Sequence, residues 1–471
     1  MMKHLIFYLY TLSLFFFAIG CSKEAVIEKA PKIINKYNSS KPISADELLP
    51  TRGIIDQTFI INGNFPGELS DMKVYFADKK AILTATDGAS ITGIVPKQPD
   101  GVNQVSIVIG KDSIVPDGFL FKYKQSRSVK TIAGKLGEDA WMSDADYAGA
   151  ALDAVTFGDV HYVAALAGQT QDNIFLIETG WGNRLLMLSQ DDNQVQKLAT
   201  PDNLSCPTVN STRDAFYVTQ FWNRGRTIYY YSKANSWEYS TTSITVSVSD
   251  LPGAKVSSLT FGEDDNWLYL MDSEGRIAEV NLLEKSYKVY TAANKKPGGI
   301  NQNNYGGEIK GDLPNSFGDW QDSFIIYSKY HKCFFASFAN QHAIYKLDKN
   351  DDNTWTSTLY AGNNGQGIEF GHRLVDARLN HPHGMAVNED GEIFVVNKGS
   401  CPWCGDGHVI VKIFGDMVEL VAGKPGSNNP LVNGDPLEST FKVARNISID
   451  SDGNYIISGG EDRTVRKLSI E

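Results

Sequence analysis

The sequence has no stripe of lysine or arginine. Its 44 basic residues are outnumbered by 55 acidic ones, and the net charge of −11 is spread along all 471 positions. Binding to nucleic acid, which depends on neutralising phosphates, is therefore disfavoured. Long helical periodicity among apolar residues is also missing after the first 20 positions, whereas glycine is abundant, turns rich in asparagine and proline recur, and aromatics make up 11%. That balance points to β structure. A Ser-His-Asp order, a G-x-S-x-G elbow and a phosphate-binding loop are likewise absent, so the common hydrolase and nucleotide-binding signatures do not apply. Cysteine is scarce, with five in the chain. In an exported protein close pairs tend to oxidise, and isolated cysteines are more often buried as small hydrophobes.

What is present begins with "MMKHLIFYLYTLSLFFFAIGCSKEA": a basic start with Lys3, an apolar run over residues 5–20, then Cys21. This reads as a secretory signal over residues 1–20. The run falls short of the roughly 20 apolar residues that a comfortable bilayer span needs, and no basic stop-transfer cluster follows it. The junction Ala18-Ile19-Gly20-Cys21 resembles the lipobox of bacterial lipoproteins. The resemblance implies cleavage before Cys21 and acyl chains on that residue, which hold a protein on a membrane because each buried methylene contributes about 0.8 kcal/mol. Residues 21–30 are polar and read as a tether.

Residues 31–124 carry short alternating strands separated by turns, which suits a small two-sheet sandwich. The "IINGNF" run, the "VYF" strand, Val95-Pro96 followed by "DGVNQVSIVI", and the closing Phe121-x-Tyr123 resemble the IPT/TIG family of immunoglobulin-like domains. That family implies a spacer or protein-contact module, and no catalytic residue is carried over.

Over residues 128–471 a different pattern repeats. Six apolar runs, "NIFLIE", "AFYVTQ", "WLYLMD", "KCFFASF", "EIFVVN" and "NYIISG", recur at a spacing of roughly 40 to 65 residues, in the range of propeller blades. Each is followed by a polar turn and a second run: "RLLMLS", "TIYYYS", "RIAEVN", "AIYKLD", "VIVKIF" and "VRKLSI". These are expected to be the second and third strands of six blades. A further element around Gly134, Gly362 and Gly423 reads as a fourth strand. The last blade has none after it, so residues 129–135 are expected to supply it and close the ring, which removes open sheet edges. Residues 379–399 and 441–468 resemble NHL repeats. The expected fold is thus all-β, an IPT/TIG-like sandwich followed by a six-bladed NHL-like β-propeller.

Turns between second and third strands gather on one face of a propeller, and loops on a rigid scaffold carry function. Candidate ligand-binding residues in these turns are Trp181, Asn183, Arg184, Trp222, Asn223, Arg224, Gln341, His342, Trp403 and Asp406. A flat aromatic beside amide, guanidinium and carboxylate groups suits a sugar, whose apolar face stacks while its hydroxyls take forked hydrogen bonds. Trp181 and Trp222 could equally cover a blade interface. The "CPWC" segment lies in such a turn, without the strand-to-helix context of a redox motif. A zinc site there needs two more ligands, for which His408 and one of His372, His381 or His383 are unpatterned. Cys401 and Cys404 are therefore expected to shape the turn, as a disulfide or a reduced pair, and to present Trp403. Some NHL-type propellers are metal-dependent lyases with histidines at the channel. Here "HPHG" at residues 381–384 occurs in one blade alone, so a structural turn is expected, with no metal and no cofactor.

Signal, spacer and distal propeller together resemble the surface glycan-binding lipoproteins of Sus-type polysaccharide-utilisation systems. The resemblance implies no catalysis. It implies capture of an oligo- or polysaccharide at the outer membrane, facing the exterior, and delivery to a TonB-dependent transporter and its SusD-like lipoprotein. The alternatives are an adhesion or protein-interaction lipoprotein and a metal-dependent exported lyase or lactonase. With no basic cleft legible, a neutral glycan is expected over a sulfated or uronic one.

Overall fold

Residues 36–55, 57–98, 101–136, 144–179, 183–201, 203–220, 226–251, 253, 255–292, 305–310, 323–362, 365–399, 408–426 and 430–470 are described by the structure, a computed structural model. The fold is all-β. Among the described residues the one α-helical element is the single turn Asp144–Tyr147. The chain divides after Lys124 into two units, each with its own core.

In the first unit the strands Ser44–Leu49, Thr58–Asn64, Ser90–Ile94 and Ile82–Thr86 form one antiparallel sheet in that order. The second sheet is built around Gly101–Ile109, flanked by Met72–Phe76 and Leu120–Tyr123. Alternation decides what each strand buries, since successive side chains point to opposite faces. Phe59 and Ile61 from one sheet meet Met72, Val74, Phe76, Val105 and Ile107 from the other. Phe76 sits edge-on to both Phe59 and Phe121, with centroids 5.1 Å apart in each pair. Gly63 is required by close approach: a Cβ there would lie 2.1 Å from the Ser44 carbonyl oxygen.

The second unit contains six antiparallel quartets of strands. Sheet one comprises Asp159–Leu166, Asn173–Thr179, Arg184–Ser189 and Gln194–Leu198. Sheet two has Thr208–Val209, Ala215–Thr219, Arg226–Ser232 and Tyr239–Val246, and sheet three Val256–Phe261, Trp267–Asp272, Ile277–Asn281 and Ser286–Ala292. Sheet four has Ser323–Ser328, Cys333–Phe338, Ala343–Lys349 and Trp355–Gly362, and sheet five Pro382–Val387, Ile393–Asn397, Val409–Phe414 and Met417–Ala422. Sheet six takes Ile447–Ile449, Tyr455–Ser458 and Val465–Ile470 from the end of the unit and Arg127–Ala133 from its start. These last two strands pair antiparallel, with Val129 opposite Leu468.

The first strands contact one another in a cycle, one to two and so on to six, and six returns to one. Instead of forming continuous ladders, they satisfy edge N–H groups with side chains, because a buried backbone donor must find an acceptor. Ser258 Oγ accepts from Ile325 N at 2.8 Å, Thr260 Oγ1 from Tyr327 N at 3.2 Å, and Asn446 Oδ1 from Val163 N at 3.0 Å. Each sheet is covered on both faces by its neighbours, so the second strands are almost wholly buried, as in Cys333–Phe338. Such strands read in sequence as continuous apolar runs. The interfaces are aromatic. Phe175, Phe216 and Trp237 fill the one between sheets one and two. Tyr269, Tyr290, Phe334 and the fully buried Trp355 fill the one between three and four.

One element was not expected. Tyr305–Lys310 pairs in parallel with Ser286–Ala292 and with Trp355–Gly362, joining sheets three and four through their outer strands into a nine-stranded sheet. It covers two edges that would otherwise be open.

Candidate functional site

The first strands begin, and the second strands end, at the same end of the cycle. Asp159 stands opposite Thr179, Val256 opposite Asp272, Ser323 opposite Phe338, and Pro382 opposite Asn397. Residues at these positions therefore meet although they are far apart in the chain. His161 comes from the first strand of sheet one, and Lys255 directly precedes the first strand of sheet three. His381 and His383 come from sheet five, where Lys398 follows the second strand and His408 precedes the third. His342 precedes the third strand of sheet four, and Arg445 approaches the first strand of sheet six.

Hydrogen bonds lock this end together. Gly384 N donates to Arg445 O at 2.9 Å, Lys398 N to His381 O at 3.2 Å, and Ser458 Oγ to His161 O at 3.0 Å. Gly384 has no room for a side chain, since a Cβ would lie 2.7 Å from Asn446 Cα. His381 N donates to His342 Nδ1 at 3.3 Å, and the two rings cross edge-to-face at 4.6 Å. Accepting at Nδ1 leaves the ring proton of neutral His342 on Nε2. Val443 N donates to His408 Nδ1 at 3.2 Å. The backbone here is strained: His342, His381, His408, Val443 and Arg463 all have φ between +50° and +59°. Non-glycine residues in this region are uncommon, and a β-branched one such as Val443 is an outlier that persists only where its surroundings enforce it.

Charges of both signs stand at this end: Lys255, Lys398 and Arg445, and Glu178, Asp272, Glu461 and Asp462. Burial, reinforced by the charges of Arg445, Lys398 and Lys255, pushes His161 well below its ordinary value. His383 is pushed down in the same way by burial and then by Lys398, Arg445, His381 and Lys255. Glu461 is held above the usual carboxylate range by burial and by Asp159, against the opposing pull of Arg445, Lys442 and Arg463. A histidine depressed in the fold but ordinary in the unfolded chain contributes stability that is present above pH 6.5 and lost as the pH falls below it. We expect the melting temperature of the second unit to drop between pH 6.5 and 5, by up to about 1.4 kcal/mol of stability per histidine per pH unit. His383→Gln should flatten that slope. Thermal melts of both proteins across this range decide the matter, and equal stability at pH 8 and pH 5 would refute it.

Along the axis from these histidines, the first strands line a cavity of about 200 Å³. Cys206, Ser258, Phe324, Met385 and Asn446 are among its walls. Asn446 spans it, accepting from Val163 N and donating to Cys206 Sγ at 3.2 Å. Its volume is below the roughly 300 to 1,000 Å³ typical of small-molecule pockets, so a ligand of any length must lie largely at the rim.

Of the residues singled out from the sequence, Trp181, Trp222, Asn223, Arg224, Trp403, Asp406, Cys21, Cys401 and Cys404 lie outside the described residues. Asn183 Nδ2 donates to Asn203 Oδ1 at 3.0 Å. Arg184 forms an ion pair with the buried Glu178 at 3.2 Å, and Glu178 also accepts from Gly158 N at 2.6 Å and Tyr147 Oη at 3.1 Å. Gln341 ends the 3-10 turn Ala339–Gln341, and His342 follows it at the rim. The described tryptophans, Trp237, Trp267 and Trp355, are buried or half-buried between sheets. The sequence reading passed over His161, Lys255, Lys398 and Arg445. Their shared signal was position: each stands within a few residues of the start of a first strand or the end of a second one. Among the described residues no three histidine, cysteine or acidic side chains are placed to hold a metal ion.

No family model and no curated protein matches the chain. Solved structures do. One of unknown function from Bacteroides thetaiotaomicron superposes with a TM-score of 0.72 at 23% identity, covering 92% of this chain and 100% of the other. An auxiliary nutrient binding protein from Bacteroides ovatus gives 0.56 at 16%, over 92% and 99%. A putative phosphatase from Bacteroides thetaiotaomicron gives 0.54 at 15%, over 92% and 98%. At these identities the likeness establishes a shared fold.

Proposed function

We propose that this chain is a non-catalytic surface lipoprotein that captures an oligo- or polysaccharide at the histidine-lined end of a six-bladed, NHL-like propeller. The first unit acts as an IPT/TIG-like spacer, and acyl chains on Cys21 hold the protein at the outer membrane facing the exterior. The captured glycan passes to a TonB-dependent transporter and its SusD-like lipoprotein. The observation that carries this reading is the end of the cycle where residues of sheets one, four, five and six are hydrogen-bonded to one another, with a cavity too small for a whole ligand among the first strands. The name of the Bacteroides ovatus neighbour, an auxiliary nutrient binding protein, supports it. Weak single-site contacts suffice in such a role, because many copies on one surface raise the effective concentration.

Affinity electrophoresis of the chain from Ala30 onward, through gels containing a panel of neutral and acidic polysaccharides, tests the reading. Retardation by one glycan without its depolymerisation is the expected result. Shortening of the polymer would establish an enzyme, and free migration through every gel would transfer the role to a protein ligand. Trp181→Ala combined with Trp222→Ala should abolish retardation while leaving the unfolding transition in place.

A further inference from the structure

We propose that the outer strand of sheet two, Tyr239–Val246, is an interaction surface whose occupant is the same strand of a second copy of this chain, paired about a two-fold axis. The inference is independent of the ligand that the cycle takes. In the other five sheets the outer strand is covered along its free edge. Gly149 N donates to Val195 O and Val195 N to Ala150 O in sheet one, both at 2.9 Å. In sheet six Val129 and Gly434 exchange bonds of 2.8 and 2.9 Å. Tyr305–Lys310 covers sheets three and four, and Gly371–His372 pairs with Met417–Ala422 in sheet five. Among the described residues no segment is bonded to the free edge of Tyr239–Val246, which ends its four-stranded sheet.

Edge strands are ordinarily guarded by charged side chains, proline or a bulge. This one, YSTTSITV, contains neither charge nor proline and is made largely of the β-branched and aromatic residues that strands favour. Tyr239, Thr241, Ser243 and Thr245 are exposed along it. A bulge opposite Ile228 is the one guard present, with Ser243 at φ +62° and the N–H groups of Ser243 and Ile244 donating to Thr241 Oγ1 at 3.0 Å and Thr242 Oγ1 at 3.3 Å. It divides the edge into two short runs, so the contact falls below the roughly 1,200 Å² of stable complexes and suits a reversible pairing. A two-fold contact sets a surface against itself, which an uncharged strand tolerates without repulsion. A charged segment laid here would lose hydration and find no counter-charge on the strand to replace it. The net charge of −11 opposes the approach of two copies, and salt screens that repulsion beyond about 8 to 10 Å. Pairing should therefore strengthen as salt is raised, the reverse of an ion-paired interface.

The test is sedimentation velocity of the chain from Ala30 onward, which retains both units, over a range of protein and salt concentrations, with hydrogen exchange followed on the same samples. A dimer half formed at roughly 10 to 100 μM is the expected result, tighter at higher salt. Exchange of the amides in Tyr239–Val246 should slow in step with dimer formation. Thr241→Lys and Thr245→Lys, both at exposed positions, should each weaken the dimer at least about tenfold at an unchanged melting temperature, whereas the uncharged Thr241→Val should retain it. A chain that stays monomeric at every concentration and salt overturns the proposal. So does a dimer that both lysine variants leave intact, which would place the contact elsewhere. Full protection of these amides in the most dilute monomer would mean that the chain covers its own edge. Protection that appears only on adding a synthetic YSTTSITV peptide, with the chain monomeric, would give the edge to a strand of another protein. Either result removes the second copy as its occupant.

Discussion

Deleting residues 464–471 is expected to abolish the cooperative unfolding of the second unit while the first unit keeps its own transition. The deleted segment holds the strand Val465–Ile470, which lies between Tyr455–Ser458 and Arg127–Ala133 and pairs with both. Its removal therefore breaks two ladders. Arg127–Ala133 loses its strand partner, and Val129 and Ala133 lose the neighbours that bury them. Val465 and Leu468 are fully buried, each in a different interface of sheet six. Burial of one such side chain contributes about 1.5 to 3 kcal/mol. Their loss, with two ladders and the bonds of Arg466, approaches or exceeds the roughly 5 to 15 kcal/mol that stabilises a typical domain. Calorimetry should show the transition of the first unit persisting, because its core includes no residue beyond Tyr123. A truncated chain that still melts in two cooperative steps near the original temperatures would refute closure through this strand.

Arg466→Ala should destabilise the second unit by about 3 to 5 kcal/mol, the usual consequence of breaking a buried, hydrogen-bonded charge. The guanidinium is completely buried. It donates through Nη1 to Thr440 O at 2.5 Å and through Nη2 to Val432 O at 2.6 Å and Asn433 Oδ1 at 2.9 Å, and its Cζ lies 4.6 Å from the Phe441 ring centroid. One side chain thereby fastens the segment leading into sheet six, where Gly434 also bridges to Val129. Burial lowers the guanidinium to about 10 and raises the buried Asp462 well above the carboxylate range, and each opposes the shift of the other. Arg466→Lys should recover little, because an ammonium cannot reproduce the planar fork. Chemical denaturation of the three proteins measures both effects, and a loss below about 1 kcal/mol for the alanine variant would leave these bonds without a role in stability.

The strands were legible where burial on both faces wrote them as apolar runs. Residues 173–178, 267–272 and 333–338 fall in observed second strands, and "RLLMLS" and "RIAEVN" in third strands. The strand Tyr305–Lys310 was not legible, because Gly306 and Gly307 interrupt its pattern and a parallel pairing leaves no turn signal. The site was harder still. Sequence attention went to tryptophans in turns, where aromatic residues are conspicuous, and those turns lie outside the described residues. Arg184, conspicuous in the sequence as a ligand for a sugar, forms an ion pair with Glu178 that no local pattern announces. Lys255, Lys398 and Arg445 carried no motif. Their proximity is created by the cyclic order of the sheets, and no local window of sequence contains it.

Pairing the first strand of the second unit with its last also sets a clock. At a synthesis rate of about 5 to 20 residues per second, Arg127–Ala133 emerges some 20 to 70 s before its partner exists. For that interval during translation the strand is without its ladder. An unpaired edge is a template for association with other chains. The second unit therefore cannot close its cycle until residues 465–470 are available, and slow completion of the chain should appear as aggregation.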